Sequence, residues 1–318
     1  MVKAKPQRSA MSELVSVIIP TYRRPERLKR ALDSINAQTY HKIEIIVVDD
    51  NNPDDDDRKA TEAFITQYSS AFPLKYVQMA QNAGGAMARN WGIAEAEGAL
   101  ITFLDDDDEY LPEKIEKQVE KFLTSSLPRL GLVYCQINFM DSRGQFRKMR
   151  APMHASGNRD ALKKHMIRNL APTSGLMIPA HVLHEVGGFA DLLTGHEYEL
   201  IMRILVHGYN ADFNAEALVN MHYHTSGRIS TSIRKIRGEK ALFRIKKTVF
   251  PLVGERLARR VSYDHFMDLC RRYLQQDDRR ASRLYLKKAC RMDRLKFPTL
   301  LAYAGILAEE RLNKKERG

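Results

Sequence analysis

Apolar residues fall along this chain in short unbroken runs separated by stretches of helical spacing. Leu14-Val15-Ser16-Val17-Ile18-Ile19, Ile43-Glu44-Ile45-Ile46-Val47-Val48, 74–79 and 100–104 are each too short for a helix. They are apolar enough to be strands buried on both faces. Between the first two, Leu28, Ala31, Leu32 and Ile35 recur on one helical face after Pro25, a residue suited to a first turn. The same spacing predicts helices over 53–68, 85–95 and 112–123. The carboxylates at 54–57 fall in the first turn of their helix, where the dipole favours them. Strand and helix in strict alternation predict a parallel, doubly wound α/β sheet. Beyond Gly131 the alternation loosens. Strands are expected over 132–139 and 146–149, joined by a turn at Asp141-Ser142-Arg143-Gly144, with helices near 159–168 and 196–207, a mixed rather than wound half. From Ile233 the pattern is helical, interrupted at Pro251, near 276–278 and at Pro298. Leu274, Leu284, Leu286 and Ala289 are placed on the apolar sides of a helical hairpin.

Charge divides the chain differently from hydrophobicity. The net charge is +12 over 318 residues, but residues 231–318 hold 24 Lys and Arg against 10 Asp and Glu, leaving 27 against 29 in residues 1–230. The chain therefore reads as a leader at 1–12, a near-neutral domain at 13–230 and a basic helical region at 231–318. The leader lacks the apolar core of a signal peptide, and the longest apolar run, near 299–308, is about half the ~20 residues of a membrane span. Cys135, Cys270 and Cys290 show no metal-ligand spacing and read as reduced thiols of a cytoplasmic protein.

The candidate chemistry sits where strands end. Phe103-Leu104 empties into Asp105-Asp106-Asp107-Asp108, and in open α/β sheets ligands bind outside the carboxyl ends of the strands. Such a block repels itself unless a cation joins it, and hard oxygens suit a divalent metal holding phosphates. The plainer alternative is a solvated acidic loop capping the next helix. The first strand–helix turn, Pro20-Thr21-Tyr22-Arg23-Arg24-Pro25, lacks G-x-G-x-x-G, and no phosphate-binding P-loop occurs, which removes dehydrogenase and P-loop readings. What remains is Tyr22 for stacking, Asp50 to accept a base N–H, and the acidic block: a nucleoside-diphosphate pocket without a glycine fingerprint.

These residues resemble the inverting family 2 glycosyltransferases with the GT-A fold over roughly residues 14–230. Ser16-Val17-Ile18-Ile19-Pro20-Thr21-Tyr22 is similar to the family's opening strand and turn. Ile46-Val47-Val48-Asp49-Asp50 is similar to its nucleobase-binding strand end, and Asn82-Ala83-Gly84-Gly85-Ala86 with Ala88-Arg89-Asn90 to the loop and helix closing over the nucleotide. Asp105-Asp106-Asp107-Asp108 resembles the DxD segment. The resemblance implies a GT-A fold with a mostly parallel doubly wound sheet, a smaller mixed acceptor half and a C-terminal helical extension. It implies donor contacts at Pro20, Thr21, Tyr22, Asp50, Asn82, Gly84, Gly85, Asp105, Asp106 and Arg228. Mg²⁺ or Mn²⁺ would be held by Asp105, Asp107 and His224, and Tyr110 would line the donor pocket. Asp50 would take the uracil or thymine N3–H, with guanine N1–H as an alternative.

Gly195-His196-Glu197-Tyr198-Glu199 resembles the segment carrying the catalytic base. Where the family usually shows Glu-Asp this chain has His196-Glu197, so the base falls on Glu197, with His196 as a neighbour that adjusts it or lines the pocket. Trp91, on the Ala-rich helix, is expected in the core. The implied partners are a nucleotide-sugar donor, a saccharide or lipid-linked acceptor of bacterial surface polysaccharide, and an anionic membrane surface met by the basic helices on the inner face of the cytoplasmic membrane. Two competing classes are a non-catalytic GT-A scaffold that keeps nucleotide binding, and a nucleic-acid binder suggested only by the charge of the tail. The second carries no recognisable nucleic-acid motif.

Overall fold

The computed structural model describes residues 13–141, 143–150, 153–222 and 233–292. The leader, His224, Arg228 and the apolar run near 299–308 lie outside them. The described residues form two compact units, 13–192 with 196–222, and 193–195 with 233–292.

The first unit is a nine-stranded sheet covered by helices. β1 (Val15–Thr21), β2 (Ile43–Asp49), β3 (Leu74–Gln78) and β4 (Leu100–Phe103) are parallel in the order β3-β2-β1-β4. Alternate residues of β1 point to opposite sides. Val15, Val17 and Ile19 join Leu28, Ala31, Leu32 and Ile35 of α1 (Pro25–Asn36) in one core. Ile18, on the other side, lies under α3 (Gly85–Glu95), whose Gly92 permits the approach because a Cβ there would strike Ile18. Packing Gly92 inward turns its neighbour Trp91 outward, 51% exposed, so the core position expected for Trp91 is corrected. α2 (Asp56–Gln67) and α4 (Lys114–Thr124) cover the same side as α1 through Phe64, Ile65, Ile115 and Val119.

The second half of the sheet is mixed, as its irregular spacing predicts. β8 (Leu176–Pro179) runs antiparallel to β4, and β6 (Leu130–Met140) antiparallel to β8. β9 (Asn210–His222) lies parallel to β6 with three register shifts, and β5 (Glu109–Tyr110) closes the far edge antiparallel to β9. β7 (Phe146–Met149) hangs from β6. α5 (Arg159–Ile167), α6 (Ala180–Val186) and α7 (His196–Val206) complete this unit.

The second unit consists of α8 (Ile233–Val253), α9 (Glu255–Gln275) and α10 (Arg279–Met292). The expected break at Pro251 is instead at Gly254, whose φ of 85° ends the helix, and Pro251 sits inside the last turn of α8. α9 and α10 pack through Tyr263, Met267, Cys270, Leu286 and Ala289. Leu274 and Leu284, placed on the hairpin's apolar side by sequence, are 39% and 51% exposed. The three cysteines are free thiols, and no described helix is long and apolar enough to cross a membrane.

Candidate active site

Three strand ends meet at the site. Asp50 follows β2, and its backbone N–H donates to the Thr21 carbonyl at the end of β1, at 2.9 Å. Asp49 turns inward, fully buried, and accepts from Asn51 N (2.9 Å), Asn51 Nδ2 (2.8 Å) and Tyr76 Oη (2.5 Å), with Arg58 alongside. Asp50 instead gathers the loop before α3. Its Oδ1 accepts from Ala83 N at 2.8 Å, and its Oδ2 from Asn82 Nδ2 and Gly84 N, each at 2.9 Å. Burial pushes the Asp50 carboxyl above its ordinary value, against the pull of the two backbone N–H groups. A carboxylate has about four acceptor positions, so three donors leave one for a base N–H. Gly84 takes φ 88° and ψ 159°, a conformation essentially reserved for glycine, and a Cβ there would meet nothing within 4 Å. The glycine serves the backbone, leaving the space beside it open.

On the other side of the mouth, Tyr22 carries the Arg23 guanidinium over its ring at 4.9 Å from the centroid. Arg23 has a positive φ of 57° and its N–H is tied to Asn51 Oδ1 at 2.9 Å. Pro20 is half-buried within β1, paired with Val48.

The acidic block divides into two inner and two outer carboxylates. Asp106 and Asp108 are 1% and 2% exposed, whereas the side chains of Asp105 and Asp107 are 34% and 21% exposed. Thr21 and Asp106, both expected at the donor, are turned to each other: Thr21 Oγ1 donates to Asp106 Oδ2 at 2.9 Å, and both are buried. Burial pushes Asp106 up to about 7. Asp108 lies well above the usual carboxylate range, through burial and then the charges of Asp105 and Asp107, although Ser174 Oγ donates to it at 2.9 Å. Burial thus opposes ionisation of the inner pair, in Asp106 against the pull of Arg24.

The cations that join the block are guanidiniums, which the sequence reading did not foresee. Arg24 donates to Asp107 Oδ2 at 2.6 Å and lies 3.4 Å from Asp106 Oδ1. Arg27 is 3.7 Å from Asp107, and Arg30 donates to the Asp107 carbonyl at 2.6 Å. Arg89, buried on α3, pairs with Asp105. The recurrence of Arg24, Arg27 and Arg30 every three residues was the available signal. Among the described residues no three His, Cys, Asp or Glu side chains converge into a metal cage. A hard cation that keeps water and takes substrate phosphate oxygens needs only one or two protein carboxylates, and the outward pair Asp105 and Asp107 fits it.

α7 begins beside this block. His196 has Arg89, Glu197 and Asp105 among its electrostatic neighbours, and its imidazole is held below its ordinary value first by burial and then by Arg89. Its Nδ1 is buried without a partner. Two carboxylates occupy the first turn of α7. Glu199 is buried and bound by Arg203 Nε at 2.8 Å. Glu197 is half-buried and accepts from Asn169 Nδ2 at 3.1 Å, leaving it open to a further partner. Asn90 pins the approach to this helix, bonding the backbone of Phe189 at 2.7 and 2.8 Å.

Tyr110 does not line the mouth. It is 3% exposed, with its hydroxyl on the Phe103 carbonyl at 2.6 Å and 2.9 Å from Thr102 Oγ1, because β5 is drawn into the sheet by β9. Lys114 lies beneath it, fully buried, with its ammonium 4.0 Å from the Tyr110 ring centroid and bonded to Thr102 Oγ1. His222 is buried, contacts Glu109 at 2.8 Å and donates its backbone N–H to Asp108 Oδ1 at 3.3 Å.

The sequence and the fold both have counterparts among known proteins. The family model for glycosyl transferase family 2 matches residues 16–174, from β1 to the turn that carries Ser174. The amylovoran biosynthesis glycosyltransferase AmsB of Erwinia amylovora is 27% identical over 214 residues, covering 66% of this chain and 70% of that one. Some other curated relatives are longer, and the chain spans about a third of their length. Two solved structures share the fold. Staphylococcus aureus TarS 1–349 in complex with UDP-GlcNAc has a TM-score of 0.56 at 17% identity, covering 88% of this chain and 90% of that one. The mannosyltransferase PcManGT of Pyrobaculum calidifontis, in complex with GDP-Man and Mn²⁺, has a TM-score of 0.53 at 19% identity, covering 93% and 80%. The fold they share is GT-A, and with the family model seated on the strand ends that build this mouth, the chain belongs to glycosyl transferase family 2.

Proposed function

We propose that this glycosyltransferase is inverting and metal-dependent, and transfers a sugar from a UDP-sugar to a saccharide or lipid-linked acceptor of bacterial surface polysaccharide. The observation that carries this reading is the pairing of two outward carboxylates, Asp105 and Asp107, with a half-buried Glu197 at the start of the neighbouring α7. Mg²⁺ or Mn²⁺ held by Asp105 and Asp107 supplies neutralisation of the charge that develops on the leaving diphosphate. His224 and Arg228 are proposed to complete the cation and phosphate contacts. Tyr22 offers a ring for the base, Asp50 takes its N3–H, and the Asn82-Ala83-Gly84-Gly85 loop closes over the nucleotide. Glu197 accepts the proton of the acceptor hydroxyl as that oxygen attacks the anomeric carbon. The bond to the diphosphate breaks on the opposite face, with the electron pair leaving on the phosphate oxygen.

The hydrogen bond from Asn169 orients the Glu197 carboxyl group at the start of α7. AmsB, named for amylovoran biosynthesis, supports the polysaccharide context, and the UDP-GlcNAc and GDP-Man complexes support a nucleotide-sugar donor. The outward stripe of α10, Arg280, Leu284, Lys287 and Arg291, on a helix without a single acidic residue, is proposed to rest on anionic lipid at the inner face of the cytoplasmic membrane. A screen of nucleotide sugars for release of nucleoside diphosphate, with and without EDTA, tests the reading; release that is indifferent to EDTA overturns metal dependence. A second reading, a nucleotide-binding scaffold without turnover, draws on the guanidiniums of Arg24 and Arg89 resting on Asp107 and Asp105. Metal-dependent UDP binding without release from any sugar nucleotide would favour it.

A further inference from the structure

β7 is a strand that buries none of its residues. Phe146, Arg147, Lys148 and Met149 are all exposed, Phe146 at 59% and Met149 at 45%. Pairing with β6 sets Phe146 beside the half-buried Met140, and Lys148 beside Phe139, whose ring centroid lies 5.9 Å from the Lys148 ammonium. The turn that joins the two strands is tied down by Asp141. Its Oδ1 accepts from the backbone N–H groups of Arg143 and Gln145, each at 2.9 Å, and its Oδ2 pairs with Arg147 at 2.6 Å. Residues 143–150 hold Arg143, Arg147, Lys148 and Arg150 and no carboxylate, in a domain that is otherwise close to neutral. Asp141 answers Arg147, and among the described residues no carboxylate pairs with Arg143 or Lys148. At its inner end the hairpin joins the acceptor side of the site. Arg150 N donates to the Ile137 carbonyl at 2.8 Å, and its guanidinium to the carbonyls of Asn169 at 2.5 Å and Leu170 at 3.1 Å. The Asn169 side chain in turn holds Glu197 at 3.1 Å.

We propose that the β6–β7 hairpin rests on an anionic lipid bilayer, with Phe146 and Met149 at the boundary of headgroups and acyl chains and Arg143 and Lys148 on the phosphates. Apolar residues scattered singly over a surface need no partner. Two on one exposed four-residue strand, with cations interleaved, match the layering of a membrane interface, where apolar and anionic surface lie within a few ångströms of each other. A polynucleotide would answer the cations and could stack a base on Phe146, but it offers nothing to Met149. The contact is separate from the α10 stripe. Resting on the reading of Glu197 as the base, it also makes the acceptor a lipid-linked one, presented from the bilayer to the pair Asn169 and Glu197.

The test uses the full chain carrying Trp91→Phe and Phe146→Trp, so that the only indole sits on the hairpin. Both positions are exposed, thermal melts establish that the variant is folded, and Met149→Trp provides a second reporter. Vesicles of phosphatidylcholine with phosphatidylglycerol shift the indole emission to the blue, and brominated acyl chains quench it, whereas pure phosphatidylcholine at the same concentration does neither. Adding Arg143→Gln and Lys148→Gln raises the lipid needed for half the shift about 25-fold, about fivefold for each cation. Adding Met149→Ser raises it about tenfold. An indole that stays unquenched, whether or not the protein pellets with the vesicles, overturns the proposal. So does an equal shift with pure phosphatidylcholine, or a shift produced by polyuridylate in place of vesicles. Pelleting of a chain altered at Arg280, Lys287 and Arg291, and transfer by Glu197→Gln, are separate readouts, so failure of the α10 contact or of the base is distinguishable from failure of the hairpin.

Discussion

Replacing Lys114 by Met should stabilise the sheet unit at neutral pH and lose that advantage in alkali. The ammonium has been taken out of water and given the Thr102 hydroxyl and the Tyr110 ring, with no carboxylate among its described partners. Burial therefore pulls it from 10.5 down to about 7. Because the folded value lies below the unfolded one, the unfolded chain binds more protons between about pH 7 and 10.5, and stability rises with pH through that window. The gap corresponds, at about 1.4 kcal/mol per pH unit, to on the order of 4–5 kcal/mol withheld from the folded state below pH 7. Lys114→Met keeps an unbranched apolar stem one atom shorter and removes the charge, so its advantage over the parent chain should shrink by about that amount from pH 6 to pH 10.5. Urea unfolding followed by Trp91, the only tryptophan, reads this unit directly, and titrations common to both proteins cancel in the difference. A difference that is constant with pH, or that grows in alkali, would refute the assignment of a neutralising buried lysine.

Asp107→Ala should abolish transfer and weaken UDP binding only when metal is present; full activity in excess EDTA would contradict this. Asp50→Ala should weaken UDP about tenfold or more while leaving inorganic diphosphate nearly unaffected, and equal losses would remove the nucleobase role. Glu197→Gln should lower transfer by about 10²–10⁴ with donor binding kept, whereas His196→Ala gives a milder loss and shifts the acidic limb of the pH–rate profile. The reverse ranking would make imidazole the base. Joint replacement of Arg280, Lys287 and Arg291 by Gln should abolish co-sedimentation with anionic vesicles, and unchanged sedimentation would exclude the α10 stripe as the membrane contact.

Local spacing disclosed the elements whose partners are close in sequence. The four apolar residues predicted for α1 are the four that it buries, and α3 and β7 keep their expected bounds. β8, α6 and β9 were not legible. β8 has four residues, and β9 breaks its alternation at three register shifts that follow from pairing with β6. Tyr110 and Trp91 exchange their expected places for the same kind of reason. One is buried by a strand more than a hundred residues away, and the other is exposed because Gly92 takes the inward position beside it. At the site, residue type and strand-end position marked Asp50 and the acidic block. Which carboxylates face inward, and which arginines answer them, depended on packing across β1, α1 and α3 that no single stretch encodes.

The pairing of β5 with β9 also fixes when the acidic loop can be completed. Glu109 and Asn220 are 111 residues apart, so at a synthesis rate of ~5–20 residues per second the loop waits about 5–20 s for the strand that closes its edge. Until then β5 has no paired strand, and Asp108 lacks the His222 N–H that donates to its Oδ1. A substitution that delays β9 would leave fewer molecules correctly assembled, each with an unaltered turnover. Its signature is a fall in the titratable fraction of active protein rather than in kcat.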